Sequence, residues 1–133
     1  MNNSTATAEI LPFRFETREV RTLLIDDQPW FVATDIAKVL EYRNAPDMVR
    51  TLDDDETGTH NMRTRSKNGI KQSRQIIIIN ESGLYSSILR SRKPEAKRFK
   101  KWVTAEVLPA IRKHGHYHDV EGKMNTLMSA PNI

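Results

Sequence analysis

IIIINESGLYSSILRSRKPEAKRFKKWVTAEVLPAIRKHG, residues 76–115, holds a strand, two helix starts and the densest cluster of cations in the chain. Its four consecutive isoleucines are the pattern of a central strand buried on both faces. Asn80 or Ser82 can cap the helix SGLYSSILRS, with Leu84, Ile88 and Leu89 expected on its buried side. Lys93-Pro94 then opens a long helix, with proline in the first turn, where no helical N–H partner is lost. At about 100° per residue, Ala96, Phe99, Val103, Val107 and Ala110 fall on one arc and Lys97, Arg98 and Lys101 on the opposite one. The apolar arc should dock and the basic arc should face outward. Trp102 lies off the apolar arc and reads as a core-edge ring. A single ring is far short of the repeated aromatics that single-strand binders stack on bases. Pro109 is expected to end or kink the helix near Ala105 to Val107, and Gly115 to stop it.

The whole chain has 133 residues, 21 Lys+Arg against 17 Asp+Glu and a net charge of +4. That length supports one domain with a real core. The charge is uneven. From Leu84 to His118 there are nine basic residues (Arg90, Arg92, Lys93, Lys97, Arg98, Lys100, Lys101, Arg112, Lys113) and two acidic ones (Glu95, Glu106), so 9 − 2 gives +7. A local excess of this kind is the electrostatic footprint of a polyanion binder. The absence of cysteine excludes disulfides, thiol nucleophiles and thiolate zinc sites. No apolar run approaches a membrane span and the polar start lacks a signal-peptide core, so a cytoplasmic protein is expected.

Towards the N-terminus, residues 1–10 read as a disordered tail. LPFRFE alternates and VRTLLI follows after a turn, giving two short strands. IDDQPWFV returns as a hairpin through Asp26 and Asp27, with Pro29 at a strand start. Thr34 is expected to cap a helix carrying Ile36, Val39 and Leu40. Asn44 is expected to cap a second, with Pro46 in its first turn and Met48, Val49 and Leu52 facing inward. Joined by Tyr42 and Arg43, the pair has the outline of a helix-turn-helix. Between LDDDETG and the isoleucines lies a further hairpin. Asn68-Gly69 signals a two-residue type I′ turn. That turn would pair Lys67 with Ile70, Arg65 with Gln72 and Arg63 with Arg74, placing Arg63, Arg65 and Arg74 on one face with Lys67 and Lys71 near the tip. An anion between the opposed arginines would relieve their repulsion; a solvated ribbon charged to avoid edge pairing explains them equally well.

Enzymatic readings are weak. His114, His116 and His118 alternate beside Gly115 and lack the fixed second shell of a catalytic metal site. Asp53, Asp54, Asp55 and Glu56 are consecutive in one hydrophilic loop and should diverge rather than converge on a cation. All five glycines are isolated, so no phosphate loop is present. The expectation is a protein with no enzymatic activity, no metal and no cofactor.

The Trp-Phe-Val of PWFVATDIAKVLEY, the block INESGLYSSILRSRKPEAKRFKKWV and the ending EVLPAIRKHGHY resemble the Bro-N domain of phage and prophage antirepressors and baculovirus repeated ORF proteins. The resemblance runs from about Phe13 to Tyr117. It implies an α+β domain, a small antiparallel sheet with a β-hairpin packed against several helices, the longest near the C-terminus. The glycines usual before this kind of Pro-Trp-Phe and before Tyr42 are replaced within Asp26-Asp27-Gln28 and by Glu41. Residues 11–117 would form the domain and 118–133 a tail or linker, either of a lone domain or of a longer protein. The resemblance implies a nucleic-acid-binding domain in transcriptional regulation, in the bacterial host cytoplasm if phage-encoded. Phosphate contacts are then expected from Lys93, Lys97, Arg98, Lys101, Arg90, Arg92 and the hairpin cations Arg63, Arg65, Lys67, Lys71 and Arg74. Base-edge contacts are expected from residues such as Arg43, Asn44 or Arg65. The alternative is a protein-interaction module that sequesters a phage repressor or a host protein. The long amphipathic helix can support a homodimer, which nothing in the sequence requires.

Overall fold

A computed structural model describes residues 9–65, 69 and 71–114. Five strands form one antiparallel sheet in the order β1-β2-β3-β5-β4: β1 Glu9–Phe15, β2 Arg18–Ile25, β3 Gln28–Val32, β4 Thr57–Arg65 and β5 Lys71–Asn80. The helices are α1 Ala33–Val39, α2 Ala45–Val49, α3 Glu81–Arg90 and α4 Pro94–Trp102, with a short 3-10 turn at Asp54–Glu56. The expected α+β architecture is therefore present. β1 takes in Glu9 and Ile10, which pair with Leu24 and Leu23.

The sheet has two faces, set by the alternation of side chains along each strand. Val20, Leu24, Phe31 and Ile79 point to the helices and join Ile36, Leu40, Leu84, Phe99, Val103 and Val107 in the main core. Leu23, Val32, Met62 and Ile78 form a smaller cluster on the other face, with Ile25, Trp30 and Ile76 packed against it. The isoleucine run thus serves both layers, as a strand between β3 and β4 should. Beside this smaller cluster, Arg21 grips the buried Asp35 of α1 through Nε at 2.8 Å and Nη2 at 2.8 Å, while its backbone N–H donates to the same carboxylate at 2.9 Å. This bidentate fork ties the start of α1 to β2 and holds the Arg21 guanidinium more firmly protonated than usual.

Two caps stand as expected: Asn44 Oδ1 accepts from Asp47 N–H at 2.8 Å, and Asn80 Oδ1 accepts from Gly83 N–H at 2.9 Å. Thr34 is not a cap. Helix α1 begins two residues earlier than a Thr34 cap would set it, at Ala33, and its N-cap position is Val32, which offers no side-chain acceptor. Leu89 is not buried either, being 77% exposed. The inward stripe of α3 is Gly83, Leu84, Ser87 and Ile88, and one further residue rotates past it.

Two findings revise the long helix. It does not end near Pro109 but runs on through a π-helical stretch, Val103–Val107, to an α-helical segment at 108–114. Leu108 N–H donates to Val103 O, five residues back. Proline has no N–H to offer the carbonyl four residues before it, and the wider turn accommodates that loss without breaking the helix. The extra residue in the turn also moves the buried stripe, so Leu108 and Ile111 are buried and Ala110 is exposed.

The β2–β3 hairpin closes through a two-residue loop, since Ile25 pairs with Gln28, and Asp26 and Asp27 both have positive φ, 52° and 64°. That is the type I′ signature, for which glycine is the preferred residue. Asp27→Gly is expected to raise stability by roughly 0.5–1 kcal/mol, the relief of left-handed strain exceeding the entropy that glycine adds to the unfolded chain. Thermal denaturation reads this as a melting temperature higher by a few degrees; an unchanged or lower value would count against the strain.

Candidate nucleic-acid interface

The long helix docks over β1. Phe99 meets Phe15 edge-on at 5.2 Å, and Trp102 packs against Phe15 at 5.2 Å and Phe13 at 6.3 Å. Farther along, His114 Nε2 lies 2.8 Å from Glu9 Oε2, so the helix runs antiparallel to β1. Trp102 is half-buried in this cluster and is a core-edge residue. With Ala96, Phe99 and Val103 buried, the opposite face presents Pro94, Lys97, Arg98, Lys100, Lys101 and Thr104 around an open surface depression of about 460 Å³.

Ion pairing along this face is uneven. Arg98 Nε is 3.1 Å from Glu16 Oε2, and Lys93 Nζ is 3.6 Å from Glu41 Oε1. Lys97, Lys100 and Lys101 make no ion pair with any described residue. Lys97 and Lys101 are also four residues apart on one helix face, a repulsive spacing.

The turn between α3 and α4 packs on the turn between α1 and α2. Ser91 Oγ donates to Leu40 O at 3.3 Å, and Tyr42 Oη donates to Ser87 O at 2.7 Å. Burial pushes the Tyr42 hydroxyl up from its ordinary pKa, partly offset by Arg90. These contacts bring Arg90, Lys93 and Glu41-Tyr42-Arg43 to one end of the helix. There Thr34, Lys38, Tyr42, Arg43, Asn44 and Pro46 line a second depression of about 290 Å³. Arg43 is exposed, with Asp47 3.8 Å from its Nε. Asn44 spends its Oδ1 on the cap, which removes the two-point amide contact expected of it at an adenine edge. Lys38 and Thr34 were missed in the sequence, although their spacing of four on α1 is a visible signal for a shared outer face.

Arg63 and Arg74 stand on strands away from this surface, and the side chains of Arg65 and Lys71 lie outside the described residues. β4 is the far edge of the sheet from β1, four strand spacings of about 4.8 Å away. The expected register is also wrong by one residue. Arg63 pairs with Ser73, Arg74 with Met62 and Arg65 with Lys71, so Arg63 and Arg74 lie on opposite faces. A one-residue slip exchanges the faces of a strand. The observed choice puts Met62 beside Ile76 and Ile78 in the smaller core, and avoids opposing two arginines. Lys67 lies outside the described residues. Arg92 is exposed in the α3–α4 turn, beside the helix cations.

The acidic loop also behaves unexpectedly at one position. Asp53, Asp54 and Asp55 are exposed, but Glu56 turns inward and is 9% exposed. Ser82 Oγ donates to Glu56 Oε2 at 2.6 Å, and Asp53 N–H donates to Oε1 at 2.9 Å. Asn80 Nδ2 donates to Asp55 O at 2.8 Å, and a Cβ at Gly83 would stand 2.9 Å from Glu56 O, so the Asn-Glu-Ser-Gly segment clamps this loop at a point only glycine admits. The Ser82 hydroxyl and the Asp53 amide lower the pKa of Glu56. A lowered folded-state pKa stabilises the fold above the unfolded value, and that contribution is lost as pH falls through the folded one. Wild type is therefore expected to lose melting temperature below about pH 4.3. Glu56→Gln should melt lower than wild type at neutral pH and converge with it in acid; parallel curves would contradict the role given to Glu56. Among the described residues no three His, Asp or Glu side chains come close enough to hold a metal ion. No helix among them is long and apolar enough to cross a membrane.

These features define a small α+β domain that displays a cationic helix. Residues 19–109 match the family model described as the BRO family, N-terminal domain. The chain belongs to this family. Over 108 residues it is 38% identical to an uncharacterized protein of Haemophilus influenzae, an alignment covering 79% of this chain and 51% of the relative. It is 29% identical over 116 residues to Bro-N domain-containing protein 289L of Invertebrate iridescent virus 6, covering 77% of this chain and 28% of that protein. It is 27% identical over 132 residues to Bro-N domain-containing protein 019R of Invertebrate iridescent virus 3, covering 77% and 32%. The chain thus spans about half the length of the bacterial relative and about a third of the viral ones. No solved structure matches it.

Proposed function

We propose that this chain is a non-enzymatic, duplex-DNA-binding domain of the antirepressor type, acting in transcriptional regulation through the outer face of α4 and the adjoining α1–α2 turn. The observation that carries this reading is the group Lys97, Lys100 and Lys101, three exposed cations within five residues, none ion-paired to a described residue. Mutual repulsion disfavours such a group in isolation, and phosphates remove the repulsion. From Lys93 to Lys101 the helix advances about 12 Å. Against one phosphate per 3.4 Å along each strand, that reach covers roughly three to four phosphates. Phosphate contacts set affinity and register but read no bases. Base reading falls to Arg43, whose fork can address guanine O6 and N7 from the α1–α2 turn. Arg63 and Arg74 are left out of this surface, because β4 and β5 lie on the far side of the sheet from β1, over which α4 docks.

The exposed Leu89, followed in sequence by Arg90 and Arg92, favours a second reading, in which the same end of the molecule captures an acidic protein such as a repressor. Fluorescence anisotropy of a labelled random-sequence duplex separates the two. Duplex binding at micromolar protein or below, in about 50 mM salt, is expected of the DNA reading. No binding under those conditions would favour the protein reading.

A further inference from the structure

Four non-glycine residues among those described have positive φ, and two of them, Glu16 at 59° and Glu41 at 61°, aim a carboxylate at a cation of the proposed interface. Glu16 meets Arg98 and Glu41 meets Lys93, with all four side chains about half exposed. Such pairs contribute little to stability in water, and a left-handed glutamate costs more than glycine would in the same place. Neither the ion pairs nor the turns explain why a strained acidic residue stands at each position. Strain of this kind, held by the surrounding fold, points to a use.

We propose that Glu16 and Glu41 are built-in competitors for the phosphates of duplex DNA, occupying Arg98 and Lys93 in the free protein and limiting the site's affinity for non-specific duplex. This rests on the DNA-binding reading above. The two carboxylates bracket the interface: Glu41 holds the cation just before α4, Glu16 the one in its middle, and Lys97, Lys100 and Lys101 remain for first contact. A phosphate reaches Arg98 or Lys93 only by displacing the carboxylate, which then stands beside the phosphate and repels it. Full engagement is thereby reserved for DNA whose other contacts, such as those of Arg43, hold it in place. The opposed charges weaken every duplex alike, so only DNA held by further contacts stays bound.

The test compares wild type, Glu16→Gln/Glu41→Gln and Lys97→Glu/Lys101→Glu for binding to a random-sequence duplex across a salt series. Glutamine keeps the size and the strained backbone and removes only the charge. If each freed cation gains a phosphate, the glutamine variant binds at least tenfold more tightly at about 50 mM salt, and its slope of log affinity against log salt steepens by roughly 0.9 per cation. Its melting temperature should stay close to that of wild type. Wild type that binds, with a glutamine variant of unchanged affinity and slope, overturns the competitor role and leaves the DNA reading standing. Wild type that fails to bind overturns both.

Discussion

Lys97→Glu/Lys101→Glu is expected to lower affinity for duplex DNA by about a hundredfold or more at 50 mM salt while leaving the fold intact. Among the described residues the stripe has five cations, Lys93, Lys97, Arg98, Lys100 and Lys101, and two paired carboxylates, Glu16 and Glu41, so 5 − 2 gives +3. The double reversal leaves three cations and four carboxylates, and 3 − 4 gives −1. A helix face that attracts phosphates then repels them. Both side chains are exposed and outside the docked stripe of Ala96, Phe99 and Val103, so no core contact is lost. The reversal also replaces a like-charge i, i+4 pair by another of the same spacing, and the new carboxylates lie near Lys93, Arg98 and Lys100, so helix stability should change little. Circular dichroism and thermal melting check the fold, and anisotropy the affinity. A folded variant with wild-type affinity would remove α4 from the interface.

Phe99→Ala is expected to destabilise the domain by about 3–5 kcal/mol. Phe99 is fully buried, and its ring sits between Phe15 at 5.2 Å and Trp102 at 5.6 Å. Removing it empties the contact that fixes the long helix to the turn between β1 and β2. Small domains have only about 5–15 kcal/mol in total, so this one change consumes much of the margin. Denaturant unfolding measures it. A loss below about 1 kcal/mol would mean that the helix is not anchored through this ring. The two substitutions separate the roles of α4: one face holds the helix, and the other presents the cations.

Much of this architecture was legible in the sequence because local chemistry determined it. Asn44, Asn80 and Pro94 announce helix starts, Asp26-Asp27 announces a hairpin, and the alternation around Phe13 and Phe15 announces a strand. The errors share a physical cause, since each was decided by something outside the local window. The β4–β5 register depended on where Met62 had to go, and Met62 packs against residues of β2 and β3. Pro109 signals an end or a kink near Ala105 to Val107; the irregularity is there, as the π-helical stretch Val103–Val107, but packing of Val107, Leu108 and Ile111 keeps the helix going. Glu56 looks like one of four solvated acids in sequence, whereas the Asp53 amide of its own loop and Ser82 of α3 together hold it inward.

The candidate site divides along the same line. The opposition of apolar and basic arcs on α4 follows from periodicity alone, and the fold preserves it. Which cations share a surface is a question of topology. Strand order separates the hairpin from the helix, whereas packing of Ser91 on Leu40 and of Tyr42 on Ser87 brings Arg43 and Lys38 to the helix. Glu16 and Glu41 gave no hint of their pairing in sequence, because each reaches its cation across tens of residues of chain.

Whether α4 is a phosphate-binding face is decided by the salt dependence of duplex binding, measured side by side for wild type and Lys97→Glu/Lys101→Glu. The wild-type slope of log affinity against log salt is expected at about −3 or steeper, and the variant slope flatter by roughly 2, one phosphate for each lysine. A wild-type slope near zero, or identical slopes in the two proteins, would contradict that role.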